Sequence, residues 1–215
     1  MPLQNRVAPN GKIEAVPARG LVMGNRGGRI HDPLTRTLTR RRWASRRWIC
    51  CQLVFKGRRR KVMGESYTEL FFLDEVTALA SGHRPCFECR RRDAKSFAGL
   101  WAQAEGMRLP PLADDMDRLL HTQRLQEKSK NDAILFSQVG NLPDGTMIAS
   151  GGDKVGEAFA VRNGQLLHWS YLGYTPLKSN RSDWPLQVLT PAIIVDILRA
   201  GYTPLWHSSA SDVEA

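Results

Sequence analysis

SYTELFFLDEVTALASGHRPCFECRRRD, residues 66 to 93, carries a helix start, a helix stop and two cysteines in one run. Ser66-Tyr67-Thr68-Glu69 has the form of a capping box, with serine at the N-cap and glutamate at N3. The spacing predicts a helix from about Tyr67 or Glu69 to Ser81, with Leu70, Leu73, Val76, Leu79 and Ala80 as its buried stripe and Phe71 and Phe72 extending it. Gly82 stands where a left-handed C′ residue ends a helix, and Pro85 follows it. LRAGYTP at 198 to 204 repeats the punctuation of LASGHRP at 79 to 85, so Gly82 to Pro85 reads as a generic helix stop.

Downstream, RRRDAKSFAGLWAQAEGM predicts a second helix with Asp93 as N-cap and Phe97, Leu100, Trp101 and Ala104 on one face. Residues 112 to 128 predict a third, acidic early and basic late as the helix dipole prefers, with Met116, Leu119 and Leu120 as its apolar side. Beyond Asn131 the texture changes to short apolar segments broken by turn dipeptides, with Asn163-Gly164 as a type I′ hairpin signal. That half is expected to be mainly antiparallel β. Thr190-Pro191 then opens a last helix that Gly201 closes. GYTPL occurs at 173 to 177 and again at 201 to 205, with no longer repeat around it. Trp169, Tyr171 and Tyr174 have the chemistry to stack on bases, but in a small sheet such aromatics read first as core.

Upstream, residues 46 to 55 (RRWICCQLVF) are β-branched and aromatic, and KGRR reads as a turn before KVM, so a hairpin is expected. Side chains alternate along a strand, which points Cys50 and Cys51 to opposite faces and lets one of them face a given metal. Gly24, Gly27 and Gly28 fall in GNRGGRIHDP without the spacing of a dinucleotide or P-loop motif, and read as a turn. Residues 1 to 22 are expected to be a flexible leader, 23 to 130 a basic hairpin and helical region, and 131 to 215 the β region with its C-terminal helix. The fold class expected is α+β.

Hydrophobic residues make up 42% of the 215-residue chain and no apolar run nears the length of a membrane span, which with the polar N-terminus points to a cytoplasmic protein. The chain is long enough to bury a core without disulfide staples. Its net charge of +10 is concentrated. From Thr35 to Lys61 stand eleven basic residues and no acidic one, whereas from Asn131 onward there are five basic and eight acidic. An acid-free basic segment is the footprint of a polyanion partner. Arg40, Arg41, Arg42, Arg46, Arg47, Arg58, Arg59, Arg60 and Lys61, joined by Arg90, Arg91 and Arg92, are the candidate contacts to nucleic-acid phosphates.

Cys86 and Cys89 form a C-x2-C on a turn between two helices, the usual first half of a tetrahedral zinc knuckle. A redox C-x2-C would instead follow a strand. No second C-x2-C exists, so the remaining ligands are sought among Cys50 or Cys51, then His83, His31 and His121. Phe71-Phe72, the alanine-containing helix and Gly82-His83-Arg84-Pro85-Cys86-Phe87-Glu88-Cys89-Arg90 resemble the second half of the metal-binding domain of Ada-type DNA repair proteins. That resemblance implies zinc on four cysteines, one of which accepts a methyl group from a DNA phosphotriester. The family's upstream C-x3-C has no counterpart here, where the adjacent Cys50-Cys51 stands instead. GNRG and YTELFFLDEVTALASGHRPCFECRR also resemble a group of uncharacterised bacterial proteins.

The functional expectation is a zinc-supported protein that contacts nucleic-acid phosphates. The alternatives are an enzyme acting on nucleic acid or a phosphorylated small molecule, built on His31, Asp32, His121 and Arg124, or a module for an acidic protein partner. No Ser/His/Asp, HExxH or zinc-deaminase pattern is present.

Overall fold

The computed structural model describes residues 1–59, 61–126, 133–150, 157–177 and 185–211. The fold is α+β, two six-stranded sheets and a set of helices around one short central helix. The first sheet holds β1 (Arg6–Val7), β2 (Ile13–Glu14), β3 (Val22–Arg26), β4 (Trp48–Gln52), β5 (Leu70–Phe72) and β6 (Arg84–Pro85), in the order β2-β1-β5-β3-β4-β6. Most pairings are antiparallel, but β1–β5 and β4–β6 are parallel. Residues expected to be a flexible leader therefore supply strands: the Phe71 amide donates to the Asn5 carbonyl at 2.8 Å, and Val7 is fully buried.

The second sheet contains β7 (Ala133–Ile134), β8 (Met147–Ser150), β9 (Ala158–Arg162), β10 (Gln165–Ser170), β11 (Gly173–Pro176) and β12 (Leu186–Val188), in the order β11-β10-β9-β8-β12-β7. All its pairings are antiparallel, as the turn-rich sequence implied. Asn163 and Gly164, at φ 50° and 71°, make the two-residue turn between β9 and β10 with the positive φ values that a type I′ turn demands.

The helix read from the capping box is shorter than its pattern. Leu70 to Phe72 are strand, and α1 runs over Glu75–Ala80. Asp74, not Ser66, caps it: its Oδ1 accepts from the Thr77 amide at 2.9 Å and from the Thr77 hydroxyl at 2.8 Å. Glu69 turns away from the helix and accepts from the Met63 amide at 2.8 Å. The apolar run from Leu70 to Leu73 has no polar face, so periodicity alone could not separate buried strand from buried helix.

The predicted stop is present in full. Gly82, at φ 83°, donates to the Leu79 carbonyl at 2.8 Å while His83 donates to that of Ala78 at 2.9 Å. The second copy repeats this pairing, with Gly201 to Leu198 at 2.9 Å and Tyr202 to Ile197 at 3.1 Å.

Every residue of α1 is buried because three clusters use its different sides. Ala78 joins Val7, Val22, Cys50, Leu70 and Phe72 behind the first sheet. Val76 and Ala80 meet Met147, Leu167, Trp169 and Tyr174 of the second. Leu79 faces the remaining helices α2 (Arg91–Ala104), α3 (Ala113–Leu125) and α4 (Ala192–Arg199) through Phe97, Met116, Leu120 and Ile197. Arg90 rather than Asp93 precedes α2, and Asp93 lies in its first turn. Thr190 does not cap α4; its hydroxyl accepts from the Met147 amide at 2.8 Å and so holds β8. No helix among the described residues is long and apolar enough to cross a membrane.

Candidate metal centre

The strand expected within residues 46 to 55 is β4, but its partners are β3 upstream and β6, not the KVM that follows the Lys56-Gly57 turn. This arrangement decides the cysteines. Cys50 and Trp48 face the core side of the sheet and Cys51 and Ile49 the other. The parallel register Cys50↔Pro85, with the Cys86 amide donating to the Cys50 carbonyl at 2.9 Å, brings Cys86 beside Cys51. One turn then closes from Cys86 to Arg90, whose amide donates to the Cys86 carbonyl at 3.0 Å, and delivers Cys89, so the C-x2-C follows strand β6 and not, as expected, a helix. The sulfurs of Cys51, Cys86 and Cys89 all lie within 4.8 Å of one another.

Three sulfurs at about 2.3 Å from one tetrahedral ion stand about 3.8 Å apart, so the trio fits a thiophilic metal with little closure. Electrostatics points the same way. Hydrogen bonds first from Cys51 and then from Cys89 pull the Cys86 thiol down to about 2. The Glu88 amide also donates to its sulfur, at 3.4 Å. Cys51 is pushed up by its hydrogen bonds to Cys86 and Cys89. Their mutual hydrogen bonds favour the thiolate form at Cys86, the form in which a cysteine binds a metal.

Cys50 is excluded from this set. Its sulfur is buried on the opposite face, where Arg90 Nη1 approaches at 3.4 Å, and burial followed by the Glu75 charge drives its thiol upward. His83 is also outside: fully buried against Phe72 and Trp48, it meets Ser81 Oγ through Nδ1 at 2.9 Å. Burial, then Arg26 and Arg124, keep it neutral. All four cysteines are free thiols.

The sulfurs border a cleft of about 480 Å³ on the open face of the first sheet. Met23 and Asn25 of β3, Ile49 of β4 and Phe71 of β5 form its floor, and Glu69, Glu88, Arg58 and Arg59 stand at its sides. Arg58 Nη2 pairs with Glu88 Oε1 at 2.5 Å. Glu69 is 3% exposed and its Oε1 has no hydrogen-bond partner among the described residues. Glu69 was missed because the sequence placed it in a capping box; strand alternation from Cys51 through Met23 to Phe71 would have found its side of the sheet.

The other site candidates resolve individually. His31 is buried, with Nδ1 2.6 Å from Thr68 Oγ1 and Nε2 2.7 Å from the Gly64 carbonyl, so both ring nitrogens are occupied. Asp32 accepts from the Leu34 and Thr35 amides and braces its own turn. The two do not form a base and its orienter. His121 lies edge-on to Trp43, and Arg124 donates through Nε and Nη2 to the Gly82 carbonyl and through Nη1 to that of Arg46. These four do not converge on one site.

Among the basic candidates, Arg90 must be withdrawn as a phosphate contact. It is 7% exposed, and Nη2 is 2.7 Å from Glu75 and 2.8 Å from Asp93. Arg40, Arg41, Arg42, Arg46, Arg47, Arg58, Arg59, Lys61, Arg91 and Arg92 are exposed. Arg47 pairs with Asp114 at 3.1 Å. Arg60 lies outside the described residues. Comparison with family models, with curated proteins and with solved structures gives no match for this chain.

Proposed function

We propose that this chain is a zinc protein that binds nucleic acid, the metal bracing β4 against the turn after β6 so that the arginines around it are held toward phosphates. The observation that carries the reading is the convergence of Cys51, Cys86 and Cys89 from two segments distant in sequence. Three sulfurs suit zinc, and four free thiols suit a reducing, cytoplasmic setting. The exposed, acid-free segment from Arg40 to Arg47 supports a polyanion partner, and the short Ada-type resemblance agrees with both parts.

Phosphate contacts position without reading sequence, so binding is expected to be weakly selective and to fall steeply between about 50 and 200 mM salt. Elemental analysis of purified protein, followed by a salt titration of binding to DNA and RNA of several sequences, tests both halves. Metal-free protein ends the first half, and salt-independent affinity ends the second.

A second reading has its own observation. Among the described residues only three protein ligands surround the site, and the cleft beside them holds the unpartnered Glu69 Oε1. A catalytic zinc keeps such an open position for water, and an acid nearby serves proton transfer. In the cobalt-substituted protein, a visible spectrum that shifts on adding imidazole supports this enzyme reading; a spectrum that does not change assigns the metal a closed, structural role.

A further inference from the structure

A second cleft, about 750 Å³, lies away from the thiols, between the first sheet, α3 and the segment after β12. Lys12, Arg26, Arg40, Arg41, Arg42 and Arg124 line it, and no carboxylate does among the described residues. This is uncommon for the interior of a protein, where a sunken cation is normally paired.

In its lining, two guanidiniums stack on the Trp48 ring, Arg26 at 4.1 Å and Arg124 at 4.5 Å from the ring centroid. The stacks deliver two positive charges to one place but supply no counter-charge. Arg26 is 4% exposed, and its Nη2 donates to the Gly11 carbonyl at 2.7 Å. Arg26 Nε and Trp48 Nε1 are both buried donors without an acceptor among the described residues. Burial, then the Arg42 charge, draws Arg26 down to about 9, and Arg124 falls to about 9 chiefly through burial. Two unspent donors beside a cluster of cations, in a cleft that no carboxylate lines among the described residues, are what a multivalent oxyanion satisfies.

The geometry points to a phosphate-binding site in this cleft, with Arg26 and Trp48 as buried donors and Arg40 to Arg42 closing over the anion from the rim. The site is on the opposite side of β4 from Cys51 and does not depend on the metal. It rests on the nucleic-acid reading only for the source of the phosphate, which is either a nucleic-acid backbone or a free phosphorylated small molecule. Guanidiniums already stack on the Trp48 ring, so within this site Trp48 offers the anion its N–H.

The test uses the full chain, metal-loaded as purified, with pyrophosphate and a short DNA duplex as probes, followed by calorimetry and anisotropy. The expected result is saturable pyrophosphate binding that weakens about tenfold or more in the surface variant R41A/R42A and in Arg26→Lys, while Arg118→Ala on α3 leaves it unchanged. If pyrophosphate competes with the duplex and the variants weaken both, the backbone is the source. If pyrophosphate binds and the duplex does not, the site stands with a small-molecule ligand and the nucleic-acid reading falls. Absence of pyrophosphate binding, or binding of equal strength in R41A/R42A and wild type, overturns the site whatever the duplex does. Arg26→Lys is read only if its melting transition matches wild type, and R41A/R42A decides otherwise.

Discussion

Cys50 and Cys51 are neighbours in the chain and opposites in the fold: the first packs on the core side of β4 against Arg90, the second joins Cys86 and Cys89 on the open side. Cys51→Ser is therefore expected to abolish stoichiometric metal binding, and Cys50→Ser to retain it with a modest loss of stability. Metal content per chain, measured on both variants, checks the assignment. Equal metal in the two would refute it.

Arg84 of the GHRPC run forms a buried two-point pair with Asp117 of α3, Nε to Oδ1 at 2.9 Å and Nη2 to Oδ2 at 2.7 Å. Because the pair is nearly dry, removing one charge strands the other. Asp117→Asn is expected to lower unfolding free energy by about 3 to 5 kcal/mol in denaturant titration. A change below about 1 kcal/mol, the scale of an exposed pair, would contradict the burial.

The two GYTPL copies converge on one dipeptide. Tyr174 donates its hydroxyl to Asp74 and Tyr202 donates its own to Glu75, each at 2.8 Å. Glu75 also accepts from Arg90 and from the Leu205 amide, and Asp74 from the His207 amide. Each Tyr→Phe change should cost about 1 to 2 kcal/mol, since the partner oxygen stays buried with fewer donors. The double variant, compared with the sum in a mutant cycle, is expected to be non-additive because the acids are adjacent.

His83 makes stability pH-dependent. Burial, then Arg26 and Arg124, hold its folded-state value well below 6.5, so the fold favours the neutral ring. The contribution is fully present above the unfolded value, and is lost as pH falls below it, at about 1.4 kcal/mol per unit. His83→Gln should shrink the stability difference between about pH 7.5 and about pH 5.5 by about that amount. An unchanged slope would show that other groups carry it.

Much of this molecule was legible because it is local chemistry. Gly82 and Gly201 had to be helix stops, since only a residue tolerant of positive φ closes both carbonyl pairs. The Asn163-Gly164 turn and the opposed faces of Cys50 and Cys51 follow from backbone geometry within a few residues. The candidate site was legible in part: Cys86 and Cys89 declared themselves by spacing, and the third sulfur was narrowed to two positions.

What tertiary structure alone decided is everything that depends on which strand lies beside which. Ser66 to Phe72 carried helix signals, yet pairing with β1 and β3 made Leu70 to Phe72 a strand and sent Glu69 into a cleft. The choice of Cys51 over Cys50 required the parallel register of β4 with β6, a contact between residues more than thirty apart. Arg90 had the same local sequence as Arg91 and Arg92, and became a core ion pair because Glu75 was buried beside it. Side-chain type and short-range geometry determine what each residue can do, but burial and partner charge are set by distant segments, and those decide which of these possibilities each residue takes.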